Sequence, residues 1–423
     1  MGPEGVPAMK QYDWIIRGGR VIDPANELDG VFDVAIDAGR IAAVQETLDA
    51  DLAKQVYDAG GKLVTPGLVD LHVHGYHLAT PLGMDTDHHC LGRGVTTAID
   101  AGSAGCDTMA GFRAFAAERF RTRLLAFVNI SRAGLSFGGP AGGDVAGELE
   151  TLKLVSSRDC IDCIEANRDL LVGVKVRLSD SLADEGRNEP EAFRRAREAA
   201  VATRLPLMTH HSFSTVPLEA CPGAMAPGDI YTHCYHGFAS TIVDPATRRV
   251  HPAVRAAREN GVLFDIGHGM GAFNWTVGEI CAAEGFLPDV ISTDMHTLTN
   301  EGPAYDLPTV MTRLLHLGMS LQEVIRSSTV AAARAIGWDD RIGTLGVGRE
   351  ADVAVLALEA VDMALEDCHA QMRRIGQRLV PQAVWRAGRP GQITSPRHWP
   401  NREKIEAARA WWPRLVIRDD SPA

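Results

Sequence analysis

The sequence lacks long apolar runs and blocks of like charge. A membrane-spanning helix needs about 20 mostly apolar residues, and no window of the chain approaches that length. The formal net charge is −12 without a basic patch, which argues against a nucleic-acid surface. The first residues, MGPEGVPAMKQYDW, lack the basic start and apolar core of a secretion signal. These absences predict a cytoplasmic protein with no membrane and no nucleic-acid partner.

Cysteine is also scarce. Eight cysteines in a chain of 423 residues do not make a disulfide framework. Cys160 and Cys163 form a single C-x-x-C, with no second pair to complete a metal site of that kind. The overall composition, 45% hydrophobic and 23% charged, is that of ordinary globular proteins. A cytoplasmic enzyme or a binding protein remains.

The two ends of the chain share a pattern of short strands and glycine-containing turns. It covers WIIRGGRVIDP and FDVAIDAGRIAAV near the start and returns in RIGTLGVGREADVAVLALE. We therefore expect one small β-sandwich domain built from both termini, with its N-terminal part at 10–65 and its C-terminal part at 339–395. Residues 396–423 are predicted to form a helical tail whose tryptophans pack on the body.

The middle of the chain, residues 66–338, alternates short apolar runs with amphipathic helical stretches. Eight runs qualify as strands, from GLVDLHVH to DVISTDMH. This alternation predicts an α/β fold, a parallel (β/α)8 TIM barrel of about 250 residues. A doubly wound sheet is the rival, but no Gly-rich phosphate loop follows the first strand. Helices are predicted at 191–203, 252–260, 275–284, 306–317 and 321–336.

Polar side chains end most of the predicted strands. In VTPGLVDLHVHGYH the alternation of a strand puts His72 and His74 on one face. The carboxyl ends of barrel strands open onto one rim, where such enzymes keep their active sites. A single strand-end histidine is more often a packed core residue. Several on separate strands, closed by an aspartate, favour metal ligation, because buried polar clusters need partners. The positions are His72, His74, Lys175, His210, His233, His268 and Asp294.

Three residues of the predicted site each have more than one possible role. Lys175 would be a buried cation beside a metal, unless it is deprotonated or captures CO₂ as a carbamate; otherwise it reaches solvent or pairs with a carboxylate. Arg177, two residues on, is predicted to bind a substrate carboxylate or to form an ion pair with a nearby aspartate. His268 is predicted to contact the substrate or a residue that holds the metal, with packing as the alternative.

VTPGLVDLHVH, GVKVR, LMTHHS, YTHC and ISTDMH, in this order, resemble the amidohydrolase superfamily of metal-dependent hydrolases. DAGSAG, FVNISRAGL and FDIGHG further resemble its amidohydrolase/deacetylase (dihydroorotase-like) subgroup. The resemblance implies two divalent ions. His72 and His74 would hold the first and His210 and His233 the second. A carboxylated Lys175 would bridge them, and Asp294 would be both a ligand and the proton shuttle.

This resemblance implies a hydrolase acting on C–N or ester bonds. A divalent ion lowers the pKa of water to about 7, so hydroxide is present at neutral pH. Zinc suits imidazole and oxygen ligands, and manganese or iron also fit. We expect a deacetylase that removes a small acyl group, acetyl above all, from carboxylate-bearing N-acyl amino acids or O-acyl hydroxy acids. The alternatives are a cyclic amidase of the dihydroorotase or hydantoinase type and a non-catalytic binding protein on the same barrel.

Two further expectations concern the subgroup. Dihydroorotases usually carry an arginine two residues after the second histidine, where it holds the substrate carboxylate. This chain has Tyr76 at that position, which argues against dihydroorotase activity. Proteins of the superfamily commonly assemble, so a homo-oligomer is expected.

Overall fold

The structure is a computed structural model that describes residues 10–136, 147–397 and 400–419. The strands divide into a sheet from the chain ends, a parallel sheet from the middle and a small two-stranded sheet. The strands are β1 (Tyr12–Asp23), β2 (Leu28–Asp37), β3 (Arg40–Gln45), β4 (Ala53–Asp58), β5 (Leu63–Pro66), β6 (Leu68–Val73), β7 (Val95–Gly105), β8 (Arg123–Asn129), β9 (Leu171–Leu178), β10 (Leu207–His211), β11 (Ile230–Thr232), β12 (Val243–Asp244), β13 (Arg249–Val250), β14 (Leu263–Phe264), β15 (Val353–Glu366), β16 (Met372–Arg386) and β17 (Arg389–Pro390).

Ten α-helices lie within the described residues, half of them between strands of the parallel sheet. Short 3₁₀ segments and one π-helical turn, Arg113–Ala117, supplement them. The α-helices are α1 (Thr86–His89), α2 (Met109–Phe112), α3 (Ser157–Ala166), α4 (Glu189–Thr203), α5 (Pro252–Glu259), α6 (Trp275–Ala283), α7 (Leu307–His316), α8 (Leu321–Ser327), α9 (Val330–Ala335) and α10 (Arg402–Ala408). In the part of the chain that the structure describes, none is long and apolar enough to cross a membrane.

The middle of the chain forms a curled parallel sheet of seven strands in the order β14-β11-β10-β9-β8-β7-β6. Every residue of β6, β7 and β9 is buried, as expected for parallel strands covered on both faces. Most residues of these runs are therefore apolar.

The eighth predicted strand, DVISTDMH, closes this sheet without forming a ladder of its own. Val290 makes one parallel bridge to Asp265 after β14, and Met295 makes one to Val73 in β6. The same segment therefore meets both edges of the seven-stranded sheet, and the ends of all eight predicted strands face one rim. The curled parallel sheet of the predicted barrel is therefore observed, and single bridges join the eighth segment to its two edges.

One predicted helix, 321–336, is interrupted, whereas the other four lie within two residues of their predicted limits. α8 ends at Ser327 and α9 begins at Val330. The carbonyl of Ser328 accepts a hydrogen bond of 2.8 Å from the amide of Val69 in the barrel. The break between the two helices coincides with this contact, which directs the Ser328 carbonyl to the strand.

Strands from both ends of the chain join one eight-stranded sheet, in the order β17-β16-β15-β5-β1-β2-β3 with β4 beside β1. β5 pairs in parallel with β1 and antiparallel with β15, so it connects the two halves. The predicted assembly from both termini is therefore observed, but a separate β-sandwich is not confirmed, because these strands are bonded into a single sheet. The limits at 10–65, 66–338, 339–395 and 396–423 stay a prediction.

The C-terminal segment returns to the rim of the barrel. α10 is exposed and continues as a 3₁₀ stretch, Arg409–Arg414. The buried side chains are those of Leu415 and Ile417, which follow it. Trp412 is half-buried, whereas the side chain of Trp411 lies outside the described residues. Two aliphatic residues therefore anchor the described end of the tail.

Candidate active site

Three of the predicted ligands converge at the rim. The Nε2 atoms of His72 and His74 lie 3.4 Å and 3.1 Å from Oδ1 of Asp294. One ligand atom of each residue lies within 4.8 Å of the others, the arrangement expected of a metal site. β6 contributes the two histidines and the eighth segment contributes the aspartate, so the site forms where the barrel closes.

His210 and His233 lie beside this group. The ring of His233 is 4.9 Å from that of His72 and 4.4 Å from that of His210, measured between centroids. All four histidines and Asp294 line one cavity. The structure thus brings together residues that lie up to 222 positions apart in the chain, from His72 to Asp294.

Hydrogen bonds determine which nitrogen of His72 faces the cavity. The hydroxyl of Thr232 donates to Oδ2 of Asp265 at 2.6 Å, which uses its one proton. Nδ1 of His72, 2.9 Å from the same hydroxyl, must therefore donate. Nε2 is then unprotonated, and its lone pair faces the Asp294 carboxylate. Because two electron-rich atoms 3.4 Å apart repel each other, this arrangement fits a cation between them.

The other imidazoles are oriented in similar ways. Nδ1 of His233 donates to the carbonyl of Gly267 at 2.6 Å, which leaves Nε2 as its ligating nitrogen. His74 is held by a 2.9 Å contact from Nδ1 to the Ser103 hydroxyl. Nε2 of His210 contacts the Ser212 hydroxyl at 2.7 Å, so Nδ1 is the nitrogen that can bind an ion.

Burial keeps these imidazoles neutral. Removal from water lowers the pKa values of His74 and His233 to about 3 and those of His72 and His210 well below the usual range. Neutral imidazole is the form that binds a divalent ion. The donor set, four neutral imidazoles and a carboxylate, therefore has the chemistry of a zinc, manganese or iron site.

Lys175 lies among these groups. Its side chain is fully buried, and Nζ is 3.4 Å from Nε2 of His72. Its aliphatic stem packs on Gly102, where a Cβ would come within 2.8 Å of it. Burial lowers the pKa of Lys175 to about 7, so a large fraction is the neutral amine at neutral pH. A neutral amine is the form that reacts with CO₂ to give a carbamate.

Two of the candidate ligands have an unusual backbone conformation. His233 has φ +65° and Asp294 has φ +47°, values that residues other than glycine rarely adopt. Such strain is retained when the surrounding structure requires it, and it occurs most often at functional sites. At these strand ends it turns each side chain toward the cavity.

Asp70, two residues before His72, holds the eighth segment in place. Its carboxylate accepts hydrogen bonds from the amide and hydroxyl of Thr293, at 3.0 Å and 2.6 Å. Thr293 immediately precedes Asp294. The aspartate of β6 therefore positions the residue next to the predicted proton shuttle, which replaces the regular ladder that this segment lacks.

Arg177 lines the cavity but is tied to Glu148. Nε and Nη2 contact the two carboxylate oxygens at 2.5 Å and 2.7 Å, and both side chains are buried. This is the ion pair that the sequence offered as the alternative, with a glutamate in place of an aspartate. The bidentate face of Arg177 is therefore occupied.

The structure does not bring His268 to the cavity. The residue is fully buried, and its ring stacks on Phe273 with centroids 5.0 Å apart. Nδ1 lies 3.0 Å from the carbonyl of Gly269 and 3.6 Å from Sγ of Cys368. His268 is absent from the cavity wall, so packing, the alternative, describes its place better than substrate contact does.

Sequence reasoning missed much of the rest of the cavity wall. It contains apolar residues, one arginine from the C-terminal tail, Arg414, and the polar residues Ser179, Ser181, Ser212 and His296. Phe213 and Phe238 follow β10 and β11, with ring centroids 3.9 Å apart. No local pattern marks loop residues of this kind. The apolar wall and the arginine are Leu82, Leu182, Phe213, Phe238, Met270, Ala272 and Arg414.

Comparison with known proteins agrees with this geometry. Residues 63–390 match the family model described as the amidohydrolase family. The chain belongs to the amidohydrolase family. A deacetylase from Agrobacterium fabrum is 33% identical over 344 residues, 81% of this chain and 82% of that protein. A deacetylase from Brucella anthropi is 31% identical over 370 residues, 87% of this chain and 89% of that protein.

Two solved structures resemble this amidohydrolase over most of its length. A crystal structure of an adenine deaminase has a TM-score of 0.82 at 30% identity, and one of a dihydroorotase has 0.81 at 29%. Each comparison covers 90% of this chain and 99% of the other. The protein is therefore a hydrolase of the amidohydrolase family, a family that is typically metal-dependent, and its His-His-Asp cluster suits that chemistry.

Proposed function

We propose that this amidohydrolase removes a small acyl group, above all acetyl, from N-acyl amino acids or O-acyl hydroxy acids. The observation that carries the proposal is the convergence of four neutral imidazoles, Lys175 and Asp294 at one cavity. The deacetylase relatives support the acyl chemistry, since they match more than four fifths of the chain.

His72 and His74 would hold one ion, His210 and His233 a second, and a carboxylated Lys175 would bridge them. Bound divalent ions supply a Lewis acid that polarises the substrate carbonyl and makes water acidic enough to react at neutral pH. The hydrogen bonds of the imidazoles fix their ligating nitrogens in advance, so little reorganisation accompanies binding.

Asp294 is placed to move the proton. Its carboxylate borders the cavity and its side chain is 14% exposed, whereas those of His72 and His74 are almost fully covered. It accepts the proton of the attacking water and delivers it to the leaving nitrogen or oxygen. General acid–base catalysis of this kind raises the reaction rate about 10²–10⁴-fold.

A substrate panel tests the reaction. Metal-loaded protein is expected to release acetate from acetylated amino acids or acetylated hydroxy acids faster than it opens cyclic ureides or imides. Turnover confined to the cyclic substrates would reject the deacylase. Metal content measured on protein purified without added zinc should give about two ions per chain, and one ion would reject the bridged pair.

Adjacent histidines provide a matched control. His210→Asn should lose metal and turnover, because its imidazole borders the cavity. His211 lies behind the strand, where its two nitrogens contact Tyr231 Oη at 3.0 Å and the carbonyl of Val216 at 2.9 Å. His211→Asn should therefore retain its metal. Equal metal loss in both variants would contradict the assignment of His210.

The alternative is a cyclic amidase, which the similarity to a dihydroorotase structure favours. Tyr76, at the position where dihydroorotases usually have arginine, weakens it. Its hydroxyl donates to the carbonyl of Thr108 at 3.2 Å and its ring packs 5.4 Å from that of Phe112, away from the cavity wall. The same panel distinguishes the two activities.

A further inference from the structure

A carboxylate-bearing substrate needs hydrogen-bond donors in the cavity, and Arg177 offers few. Both oxygens of Glu148 occupy its Nε and Nη2 donors, and the buried pair is neutral as a unit. The cavity wall also contains one histidine outside the predicted ligand set, His296. It follows Asp294 by two residues in the chain, and the proposed function gives it no part in holding an ion.

A hydrogen-bonded turn holds His296 at the rim. Its backbone amide donates to the Thr299 hydroxyl at 2.9 Å, and its carbonyl accepts from the amide of Thr299 at 3.0 Å. The carbonyl of Met295 accepts a hydrogen bond of 2.9 Å from the amide of His74. The backbone that carries the ring is therefore bonded to its own turn and to the chain next to β6. The residue is 2% exposed, and its ring lies 6.1 Å from that of His74, measured between centroids.

One contact determines where the proton of this ring lies. Nδ1 of His296 accepts a hydrogen bond of 3.2 Å from the amide of Leu298, so Nδ1 carries no proton. The proton of the neutral ring is then on Nε2, which is a donor. A protonated imidazolium has no lone pair to accept such a bond, so the same contact favours the neutral ring.

Two other histidines make the same contact and show how Nε2 is then used. Nδ1 of His236 and Nδ1 of His251 each accept, at 3.2 Å, from the amide two residues further along the chain. Nε2 of His236 donates to the carbonyl of His211 at 2.9 Å. Nε2 of His251 lies 3.9 Å from a carboxylate oxygen of Glu219. In both cases Nε2 lies near an oxygen, and the same geometry predicts an oxygen partner for Nε2 of His296.

The described residues supply no such oxygen at His296. Among them its Nε2 has no hydrogen-bond partner, and it is not one of the unpartnered nitrogens sealed from solvent, such as Nε2 of His268. Because His296 lines the cavity, the open space that this nitrogen meets is the cavity. A donor that is fixed in one tautomer and open to the cavity is suited to an oxygen of the substrate.

The place of His296 beside Asp294 indicates which oxygen. Under the proposed function, Asp294 delivers a proton to the leaving nitrogen or oxygen. In an N-acyl α-amino acid or an O-acyl α-hydroxy acid, the carboxylate is attached to the carbon that bears this leaving atom. The carboxylate therefore lies near Asp294. Among the four candidate histidine ligands, His74 is the one whose ring lies next to that of His296, and it also contacts Asp294.

We propose that Nε2 of His296 donates a hydrogen bond to the carboxylate of the substrate and so gives this amidohydrolase a preference for acids. This rests on the proposed deacylase, whereas Arg177 and Glu148 shape the wall. A hydrogen bond to an ionised acceptor is about twice as strong as one between neutral groups. A neutral imidazole can therefore distinguish an acid from its amide.

The test compares three forms of each substrate on metal-loaded protein. The panel contains N-acetyl α-amino acids and O-acetyl α-hydroxy acids, their primary amides, and acetylated amines and alcohols that lack the carboxylate. His296→Met should raise KM roughly 10- to 100-fold for the acids and roughly 2- to 10-fold for the amides, with kcat changed less than about threefold. KM for the analogues without a carboxylate should not change. His296→Gln, which keeps an N–H donor, should recover part of the loss on the acids.

His251→Met is the matched control, because His251 makes the same contact through Nδ1 but lies outside the cavity wall. It should behave like the unmodified protein, and metal content is measured on every variant. Equal loss on the acids and on the analogues without a carboxylate in His296→Met, or an unchanged KM for the acids, would overturn the proposal. A fall in kcat on every substrate would also overturn it, because the N–H would then act on the reacting carbonyl. A native protein with no preference for acids would overturn it as well.

Binding measurements separate this proposal from the reaction. Calorimetry with the same acids on metal-loaded protein reports their affinity whether or not they are hydrolysed. Weaker binding of the acids to His296→Met, without turnover in the native protein, would retain His296 and reject the deacylase. Failure of every acid to bind the native protein would overturn the role of His296.

Discussion

The buried pair of Arg177 and Glu148 makes a prediction about stability. Side-chain exposure is 8% for the arginine and 0% for the glutamate, and two contacts of 2.5 Å and 2.7 Å join them. Glu148→Met leaves the guanidinium buried without a counter-charge, which should lower the free energy of unfolding by about 3–5 kcal/mol. Replacing both, as Glu148→Met with Arg177→Met, removes the uncompensated charge and should be close to neutral or stabilising.

Urea unfolding of metal-loaded protein, followed by tryptophan fluorescence, measures the double-mutant cycle. The coupling energy should exceed about 2 kcal/mol. The exposed pair of Arg158 and Asp162, four residues apart on α3, is the control and should couple by about 0.3–0.5 kcal/mol. If Glu148→Met lowers the free energy of unfolding by less than about 1 kcal/mol, the reasoning is refuted, because water must then reach the arginine. On substrates, Arg177→Met should affect acids and amides alike.

Four further outcomes are expected. Lys175→Ala should lose most bound metal and activity, with partial rescue by a short carboxylic acid that replaces the carbamate; full metal content would contradict the bridge. Asp294→Asn should keep its metal, but its kcat should fall about 10²–10⁴-fold; kcat and metal content are measured on the same preparation. Removal of metal by a chelator should abolish turnover, and zinc should restore it; activity in metal-free protein would refute the mechanism. Gly237→Ala, whose Cβ would lie 2.8 Å from the carbonyl oxygen of Ile417, should release the tail and speed proteolysis after Arg414, whereas Gly376→Ala, with open space around its Cβ, should not.

The parts of the fold that follow local patterns were predictable from sequence. Alternating polarity identified β6, and the repeated exchange of apolar runs and helices identified the barrel. The eighth segment was recognised as an apolar run, DVISTDMH, although it lacks a ladder and depends on Asp70, far away in the chain. The break at Ser328 was not predicted, because it depends on a hydrogen bond from Val69 and not on any helix-breaking residue.

The site was predictable where strand ends carried titratable residues and unpredictable where distant segments meet. His72, His74, His210, His233, Lys175 and Asp294 end strands that share one rim, so topology alone brings them together. Glu148 lies in an irregular segment and Arg414 ends a 3₁₀ stretch. Only the tertiary structure shows that Glu148 pairs with Arg177 and that Arg414 reaches the cavity. Their charges look like ordinary surface charges in the sequence.

The position of β5 has a consequence for biosynthesis. Thr65 of β5 faces Ala354 of β15, 289 positions further along the chain. At about 5–20 residues per second, a ribosome needs roughly 15–60 s to supply that partner. Throughout this interval one edge of an apolar strand has no neighbour, which exposes nascent chains to edge-to-edge pairing. Chaperone demand should therefore be highest during translation, and shortened products lacking β15 should aggregate.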